Sequence, residues 1–419
     1  MNGNNKEAAA AYQELGGWVD AHHAEQIEFL RAIVRVPSDT PPGDNAPAAE
    51  KAAELVAAMG FTVERHAVPA DFLHAYGMKS VTNLIVRQRF GSGGPTIALN
   101  AHGDVVPPGE GWTRPPYEGV IEGERMYARG VAVSKSDIAT YTYALAALRA
   151  LAQNGTVLNG AVELHFTYDE EFGGLAGPGY LLDNKVTRPD YAIAASFSYA
   201  IVTAHNGCLQ FEVTVHGKAG HGAMPETGRD AFRAGTAILN AVYAEADALK
   251  SHKSRVTGID HPTMIVGLLS GGINTNVVPD RLTLRLDRRM TPEEDPAATE
   301  ARVRELIAKA VAGFDGIRVD IRRLLLANAL KPLPGHEKLV AALSRHAQRV
   351  FGVEVKATGV PLYADARLYA EHGVPIVMYG AGPRTIAESN AKRPDENLLL
   401  EDLRRATQVV ASTVYDFLA

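Results

Sequence analysis

The sequence predicts an α/β protein in which a smaller α+β domain is inserted into a larger domain. Its 419 residues exceed the length of one ordinary domain, and a hydrophobic content of 46% is sufficient for two cores. Apolar strands alternate with helices in the first half of the chain and again near its end. Between these parts, strands of alternating polarity predict an antiparallel sheet.

The larger domain is predicted from strands and helices that follow one another along the chain. Strands are predicted at Thr82–Arg87, Thr96–Asn100 and Gly160–Thr167. A helix is predicted between the second and third of them, at Ile138–Leu151. The run at Thr96–Asn100 is apolar almost throughout, which is typical of a strand buried on both faces of a parallel sheet. The same pattern returns near the end, with a helix at Lys338–Phe351. Catalytic groups are therefore expected at the carboxyl ends of these strands.

The smaller domain is predicted from the change of pattern that begins near Gly207. The run LQFEVTVHG alternates apolar and polar residues, and a helix and two more strands follow at Asp230–Leu249, Met264–Leu268 and Leu282–Asp287. Such a succession is typical of an antiparallel sheet with helices on one face. The predicted catalytic α/β domain is discontinuous and comprises residues 1–208 and 325–419. The inserted domain is predicted at residues 209–324.

Composition limits the kinds of binding partner and the cellular location that are expected for this protein. The net charge of −6, with charges of both signs interspersed, argues against nucleic acid and anionic membrane surfaces as partners. The first residues lack the pattern of a signal peptide, and no stretch has the apolar length of a membrane span, so a cytoplasmic protein is expected. The single cysteine, Cys208, excludes an internal disulfide and a cysteine-built metal site. Its apolar surroundings favour a buried small residue over a nucleophile.

A first candidate site motif is the segment LNAHGDVVPPGEGW, which follows the buried strand. It places His102 and Asp104 two residues apart. On an extended backbone these side chains share a face, so the carboxylate can orient the imidazole. Taken alone, the pair is equally compatible with a structural role.

A second candidate motif, TYDEEFGG, places Asp169, Glu170 and Glu171 directly after the strand Gly160–Thr167. Three adjacent acids repel one another, so a metal ion, a proton or a cationic partner is expected to compensate them. A solvated acidic turn is the simpler alternative. The two glycines that follow argue against it, because they suit a tight backbone rather than a loose loop.

Several further motifs, in one order along the chain, resemble the M20 family of peptidases and deacylases. This family includes acetylornithine deacetylase, succinyl-diaminopimelate desuccinylase, aminoacylase-1 and carboxypeptidase G2. The matching segments are AHGDVVPPGEGWTRPPYEG, YARG with Lys135, TYDEEFGG, GKAGHGAMPETG, GGINTNVVPD, DRRMTPEE and YADARLYAEHGVPIVMYGAGP. The resemblance implies a zinc-peptidase-like fold, with a mixed sheet between helices and an inserted α+β lid or dimerisation domain. It also implies a homodimer that forms through this domain, two zinc ions and no organic cofactor.

The resemblance assigns roles to the residues of the two motifs. It implies that His102 and Glu171 are zinc ligands, that Asp104 orients His102, and that Glu170 is the general base.

Further residues are implied to contact the substrate. His221 resembles the histidine that polarises the scissile carbonyl in the site of a neighbouring subunit. Asn276 and Arg289 resemble residues of the lid that hold the substrate, and arginine suits a bidentate contact with a carboxylate. Gly380 and Gly382 correspond to positions that line the substrate.

Three positions depart from the family pattern, each at a metal ligand. Val133 stands in RGVAVSKSD where the family has a bridging aspartate, Ser196 closes PDYAIAAS where an acid is usual, and Lys392 in AKRPDENL replaces a histidine. A valine has no donor atom, and a serine hydroxyl is a poor zinc ligand beside a carboxylate. An ammonium group has no lone pair for a metal.

The ligands that remain do not suffice for the family's metal centre. His102 and Glu171 are fewer than the three protein ligands typical of catalytic zinc. Two zinc ions would also leave a large uncompensated positive charge, to which Lys392 adds. Zinc is therefore expected to be absent or single. Asp137 and His205 are conceivable substitute ligands, although ordinary structural roles suit both.

The sequence thus predicts an M20-type amidohydrolase with an altered, metal-free or metal-poor site. Its expected substrate is an N-acyl amino acid, a dipeptide or a related small amide that carries a carboxylate. Lys392 is expected to replace the metal as a cation that pairs with Glu171 and contributes to catalysis with Glu170, Asp104 and His221. Three alternatives remain: a single-metal hydrolase, a metal-independent isomerase or lyase that acts on an N-substituted amino acid, and an inactive paralogue that binds a small molecule.

Overall fold

The computed structural model describes residues 3–419, and their side chains from Lys6 onward. The α-helices are α1 Gly3–Ala21, α2 His23–Val34, α3 Ala46–Ala58, α4 Ala70–Tyr76, α5 Lys135–Gln153, α6 Tyr180–Asp183, α7 Ala231–Leu249, α8 Pro296–Val311, α9 His336–Phe351, α10 Ala366–Glu371, α11 Ile386–Ser389 and α12 Leu400–Leu418. Short 3-10 turns lie at Glu170–Phe172 and Pro225–Thr227.

The strands are β1 Val63–Ala67, β2 Thr82–Arg89, β3 Thr96–His102, β4 Val120–Glu122, β5 Arg125–Tyr127, β6 Ala161–Thr167, β7 Tyr191–Ala194, β8 Ile201–His205, β9 Gly207–His216, β10 Gly220–His221, β11 Thr263–Gly271, β12 Val277–Val278, β13 Arg281–Met290, β14 Arg318–Ala327, β15 Ala357–Val360, β16 Ile376–Met378 and β17 Asn397–Leu399.

The chain divides into two compact units. The first unit contains residues up to Thr203, together with Pro332–Thr358 and Ala364–Ala419, and the second contains Ala204–Lys331 and Gly359–Tyr363. The sequence predicts the inserted domain at residues 209–324. The sequence does not predict that Gly359–Tyr363 also belongs to the second unit, because five residues are too few to show a change of pattern.

The first unit is organised around a mixed sheet. In the described part of the chain, eight strands pair in the order β1-β2-β6-β3-β7-β16-β8-β15. The centre is parallel, because β3 pairs with both β6 and β7, and β7 pairs with β16, in parallel register. Antiparallel neighbours, such as β2 beside β6, make the sheet mixed. The predicted α/β fold class with a mixed sheet and helices is therefore confirmed.

Burial explains why the central strands read as continuous apolar runs. Every residue of β6 and all but the first of β3 are buried. A strand that is covered on both faces has no solvent side on which polar residues could alternate. Helix α5 packs on β3 and β6, and α12 packs on α5 and α9. The carboxyl ends of β3 and β6 lie side by side, since His102 is in register with Thr167.

The second unit is an antiparallel sheet with helices on one face, as predicted. Four strands pair in the order β11-β13-β9-β14. Alternate residues of β9 form the core with α7 and α8, and these are Leu209, Phe211, Val213 and Val215. Both helices begin at an aspartate that accepts backbone N–H groups, Asp230 for α7 and Asp295 for α8.

The predicted helices and strands lie within or beside observed ones, which are generally longer. Many observed elements have no predicted counterpart, and α1, α8 and β14 are the longest of them. In α1 and α8 the buried residues recur every four residues, but there is only one per turn, so the apolar stripe is narrow. Met1 and Asn2, which begin the segment interpreted as lacking a signal peptide, lie outside the described residues. None of the helices within residues 3–419 is both long and apolar enough to cross a bilayer.

One buried strand carries charged residues, and their partners explain how they are tolerated. On β6, His165 Nε2 lies 2.9 Å from Glu163 Oε2, and His165 Nδ1 lies 2.8 Å from the Tyr369 hydroxyl. Glu163 also accepts hydrogen bonds from Arg87 and Thr187. Burial alone would raise the pKa of Glu163, but the hydrogen bonds and charges of His165, Thr187 and Arg87 lower it to about 2. This carboxylate is therefore stabilised in its charged form.

We expect Glu163→Gln to lower the free energy of unfolding by up to about 3 kcal/mol at neutral pH. Because the pKa of Glu163 in the folded protein is below that of an unfolded glutamate, its stabilisation is present at neutral pH and disappears as pH falls from about 4.5 towards 2. Urea unfolding at pH 7, 4 and 3 should show a gap between wild type and variant that narrows with acidity.

The matched control is Glu64→Gln, which removes an exposed carboxylate from the same Arg87. Its effect should stay within about 1 kcal/mol. Equal effects of the two variants, or a gap that is independent of pH, would contradict this account of Glu163.

Candidate active site

The first site motif lies at the end of β3, where the strand leaves the sheet. The Nδ1 atom of buried His102 is 3.0 Å from the backbone oxygen of Asp104 and 3.3 Å from its Oδ1 atom. The Nε2 atom of His102 lies 3.9 Å from Glu170 Oε2. Burial alone would lower the pKa of His102, but Asp104 and the neighbouring carboxylates Glu170 and Glu171 raise it to about 10. The imidazole is therefore a cation among acids.

The second motif follows β6 and is joined to the first by Asp104. The Oδ2 atom of Asp104 accepts the backbone N–H of Glu171 at 3.0 Å, so one carboxylate contacts both motifs. Gly173 and Gly174 have φ angles of 103° and 77°, in the left-handed region that favours glycine. The segment is thus a tight turn, as the two glycines predict, and not a loose acidic loop.

The three adjacent acids are compensated in three different ways. Burial and the charges of Asp104 and Glu170 raise the pKa of Asp169 to about 8, and its Oδ2 atom accepts the N–H of Ala176 at 2.6 Å. Glu170 is buried beside the imidazolium of His102. Glu171 pairs with a lysine. Cationic neighbours compensate Glu170 and Glu171, and the raised pKa of Asp169 favours its protonated form.

The partner of Glu171 is Lys392, whose Nζ atom lies 2.7 Å from Glu171 Oε2. The Glu171 side chain is 8% exposed, and that of Lys392 is 48% exposed. Burial tends to lower the pKa of Lys392, but the charges of Glu171 and Glu170 raise it above its usual range. The ion pair expected from the sequence is present, and its lysine side chain is partly exposed to solvent.

The segment with Val133 is held beside His102 by hydrogen bonds. Ser134 Oγ donates to the His102 carbonyl at 2.9 Å and accepts the His102 N–H at 3.1 Å. Ser196, at another altered position, is half-buried, and its backbone oxygen accepts the N–H of Gly382 at 2.9 Å. Val133 therefore lies next to His102, where the family has a ligand.

Asp137, one of the two conceivable substitute ligands, is engaged elsewhere. Its Oδ1 atom accepts the N–H of Ala381 at 2.6 Å, and its carboxyl group lies against Gly380, where a Cβ atom would come within 2.1 Å of Oδ1. Burial raises the pKa of Asp137 to about 8. His205, the other candidate, belongs to the second unit, where its Nδ1 atom contacts the carbonyl of Asn206.

The donor set does not fit the two-zinc centre that the resemblance implies. Across residues 3–419, no three His, Cys, Asp or Glu side chains are grouped so that they could hold a metal ion. At the altered positions, Val133 has no donor atom, and the ammonium of Lys392 contacts Glu171. The site is instead a network of carboxylates compensated by His102 and Lys392.

The two glycines that are predicted to contact substrate lie in a turn after β16. The N–H of Gly380 is directed at the Phe197 carbonyl at 3.4 Å, and that of Gly382 donates to Ser196 at 2.9 Å. The Gly382 carbonyl accepts from Ser198. A substrate would therefore contact this turn through its surface and not through unsatisfied N–H groups.

Two predicted substrate-contacting residues meet within the second unit. Strands β10 and β12 form a ribbon in which His221 is in register with Val277, and Gly222 donates to the Asn276 carbonyl at 2.8 Å. The N–H of Ala223 is directed at His221 Nδ1 at 3.1 Å. Because Nδ1 acts as an acceptor, the proton of the neutral ring is on Nε2, and exposed His221 can donate from that atom.

Arg289 lies on β13 of the second unit and has partners there. Its guanidinium donates to both carboxylate oxygens of Asp287, at 2.7 and 3.2 Å, and lies 5.2 Å from the centre of the Tyr363 ring. Cys208, opposite Arg289 on β9, is buried, and burial raises the pKa of its thiol to about 12. This agrees with its interpretation as a packing residue.

Sequence reasoning missed the residues that support the altered segments. Buried Arg129 and Glu396 form an ion pair of 2.6 Å between Nη1 and Oε2, and Glu396 Oε1 accepts the N–H groups of Ala132 and Val133. Arginine directly before Gly130 and glutamate four residues after Lys392 were visible in the motifs. Nothing in the sequence indicates that these two side chains pair.

The fold and motifs agree with comparisons to known proteins. Residues 98–416 match the model of peptidase family M20/M25/M40. The chain is 26% identical over 395 residues to succinyl-diaminopimelate desuccinylase of a Nitratiruptor species, covering 89% of this chain and 96% of the relative. It is 28% identical over 398 residues to the enzyme of the same name from a Methylobacterium species, covering 91% and 93%.

Two solved structures share the fold. The M20 family metallo-carboxypeptidase Sso-CP2 from Sulfolobus solfataricus has a TM-score of 0.75 at 20% identity, covering 94% of this chain and 98% of that one. Human carnosine dipeptidase 1 has a TM-score of 0.76 at 17% identity, covering 97% and 98%. Because the family model matches more than half of its residues, the chain belongs to peptidase family M20/M25/M40, a family of amide-bond hydrolases.

Proposed function

We propose that this chain hydrolyses an amide bond of an N-acyl amino acid, a dipeptide or a related small amide that carries a carboxylate. The observation that carries the proposal is the Lys392–Glu171 ion pair, which places an ammonium group on the residue that directly follows buried Glu170. The names of relatives support the substrate class, since they include a succinyl-diaminopimelate desuccinylase and a carnosine dipeptidase.

The proposed reaction uses Glu170 as its base. Glu170 removes a proton from a water molecule, whose oxygen forms a bond to the amide carbon. The ammonium of Lys392 stabilises the negative charge that develops on the carbonyl oxygen. The C–N bond then breaks, and Glu170 transfers the proton to the leaving nitrogen, which gives a carboxylic acid and an amine. Asp104 holds His102 and the backbone of Glu171 in place throughout.

The altered ligand positions support a metal-free or metal-poor site. Hydrolysis without a metal lacks the Lewis acid that polarises a carbonyl and the route to hydroxide at neutral pH. An ammonium group compensates only in part, so we expect activated or cyclic amides to react faster than simple peptides. His221, Asn276 and Arg289 are proposed to contact the substrate, with Arg289 exchanging Asp287 for the substrate carboxylate.

Two other functions are compatible with the same groups. A base and a nearby cation can also catalyse a proton transfer without water, as in an isomerase or lyase that acts on an N-substituted amino acid. The chain could also bind such a molecule without converting it. Product analysis in H₂¹⁸O distinguishes both functions from hydrolysis.

We further propose that the second unit is the lid and forms a homodimer through strand β11. Both β11 and β14 are edges of the sheet, but β14 presents charged residues such as Arg318, Asp320 and Arg322. Strand β11 instead exposes Ile265, Leu268 and Leu269, by 55%, 42% and 54%. An exposed apolar edge strand can pair with a strand of another chain. A second copy of β11 is complementary to the first when the two are related by a twofold axis.

A small carboxylate-bearing substrate and a second copy of the chain are therefore the partners that we propose. The net charge of −6 gives no reason to add nucleic acid or an anionic membrane. The cytoplasmic location expected from the sequence stays a prediction.

Protein purified without chelators should contain well below one tightly held zinc, cobalt or manganese ion per chain. The physical reason is that the site keeps only His102 and Glu171 of its ligands and adds the ammonium of Lys392. Elemental analysis by inductively coupled plasma mass spectrometry measures this. One or more tightly held metal ions per chain, or activity that chelator abolishes and metal restores, would overturn the metal-free site.

Glu170→Gln should lower turnover by at least about 100-fold while leaving ligand binding intact, because the amide cannot accept the proton. A panel of acyl amino acids, dipeptides and cyclic amides is screened by thermal shift, and products are identified by mass spectrometry in H₂¹⁸O. Glu64→Gln, an exposed carboxylate variant, serves as the matched control.

The isotope distinguishes the candidate functions. Label in the acid product supports hydrolysis, and conversion without label favours an isomerase or lyase. A stabilising ligand that is recovered unchanged favours a binding protein. Unchanged turnover in Glu170→Gln rejects this residue as the base.

Ile265→Lys should convert the proposed dimer to a monomer in sedimentation velocity experiments, since it places a charge on the apolar edge. Val157→Lys is the control, because Val157 is 77% exposed and belongs to the first unit, whereas β11 belongs to the second. A wild-type protein that is monomeric at micromolar concentration, or an Ile265→Lys variant that stays dimeric, would contradict the interface.

A further inference from the structure

One buried carboxylate joins the two segments in which metal ligands have been replaced. Glu396 is 1% exposed, and its Oε1 atom accepts the N–H groups of Ala132 at 3.1 Å and Val133 at 3.3 Å. Its Oε2 atom accepts Arg129 Nη1 at 2.6 Å and lies 3.4 Å from the backbone nitrogen of Lys392. The side chain of Glu396 therefore contacts the Val133 segment and the Lys392 segment at once.

The backbone of Glu396 is held as firmly as its side chain. Its carbonyl accepts the N–H of Ala128 at 3.0 Å, and the next residue, Asn397, begins strand β17, which pairs with β5. Arg129 is fixed in turn, because its Nη2 atom donates to the Pro108 carbonyl at 3.1 Å and its guanidinium lies 5.1 Å from the centre of the Trp112 ring. The ion pair is thus anchored at both ends.

The Lys392 segment needs such an anchor. Lys392 has a φ angle of 61°, in the left-handed region that residues with a Cβ atom rarely adopt. Asn390 and Asp395 on either side also have positive φ angles, of 51° and 54°. A backbone of this kind persists only where its surroundings determine it. The resemblance to the family implies metal ligands at the positions of both Val133 and Lys392, so a bound metal would hold the two segments together. Neither the valine nor the lysine side chain can ligate a metal ion.

We propose that Glu396, held by Arg129, is a positioning residue that sets the ammonium of Lys392 against Glu171. It joins with one carboxylate the two segments that metal ions would otherwise connect. This inference rests on the proposed function, in which Lys392 is the cation of the site.

A purely structural role for the Arg129–Glu396 pair makes a different prediction. A buried ion pair that serves only the fold would lower stability when broken, yet would leave the surroundings of Lys392 unchanged in molecules that stay folded. The two roles are therefore separated by a signal from Lys392 itself and not by stability.

The experiment uses reductive ¹³C-methylation of accessible lysines in the full chain and reads their dimethylammonium signals by NMR. Methylation keeps the positive charge, and Lys392 is accessible because its side chain is 48% exposed. Its signal is assigned by its loss in Lys392→Arg. In the wild type it should be displaced from the signals of exposed lysines such as Lys331, and Glu171→Gln should abolish most of this displacement.

Glu396→Ala and Arg129→Met should each remove at least half of the displacement. Glu396→Gln, which keeps the side-chain length and an acceptor oxygen, should remove less than Glu396→Ala. Glu163→Gln is the matched control, since it breaks a different buried network of the first unit and should leave the Lys392 signal unchanged. Far-UV circular dichroism and thermal melts identify the variants that are folded.

A Lys392 signal at its wild-type position in folded Arg129→Met and Glu396→Gln overturns the positioning role, and these two variants decide the matter if Glu396→Ala does not fold. Methylation requires the neutral amine, so the ion pair is expected to slow the reaction of Lys392 and Glu171→Gln to accelerate it. A Lys392 that resists methylation equally in the wild type and in Glu171→Gln contradicts the accessible ion pair on which the inference depends. Failure of the proposed function is distinguishable, because turnover unaffected by Lys392→Met would remove the catalytic role of Lys392 and leave its dependence on Glu396 intact.

Discussion

The ion pair between Lys392 and Glu171 is the interaction on which the site depends. It connects two segments that are 221 residues apart in sequence, at a distance of 2.7 Å. A nearly buried carboxylate beside further carboxylates is costly unless a cation lies next to it. Lys392 supplies that cation. Because an ammonium group has no lone pair for a metal, the same side chain is also central to the proposed metal-free or metal-poor site.

The remaining charges follow from this pair. With Glu171 neutralised by Lys392, and with the pKa of Asp169 raised to about 8, His102 remains as the cation beside Glu170. Among its described contacts, Glu170 has the imidazole of His102 at 3.9 Å and no direct lysine or arginine partner. The general-base role proposed for Glu170 is compatible with this arrangement. Asp104 supports it by contacting both motifs.

Similarity to the family explains the framework but not this charge arrangement. The structural relatives share the fold at 17 to 20% identity, which is too low to transfer the details of a site. The framework around the altered positions is well packed: Ser134 is bonded to the backbone of His102, and Glu396 to the backbone of Val133. The backbone at Val133 and His102 is therefore held by hydrogen bonds from neighbouring side chains.

The sequence by itself determined the fold class, the family and the identity of the altered positions. Strand and helix periodicity is local, and motifs such as TYDEEFGG are contiguous, so both can be read without knowing which strands are neighbours. The chemistry of the side chains alone likewise predicts that Val133 cannot ligate a metal and that Ser196 is a poor ligand. Only the tertiary structure showed that Asp137 bonds Ala381 and that Glu396 joins two segments. These contacts depend on which loops meet at the carboxyl edge of the sheet, and strand order is set by long-range packing that no local pattern records.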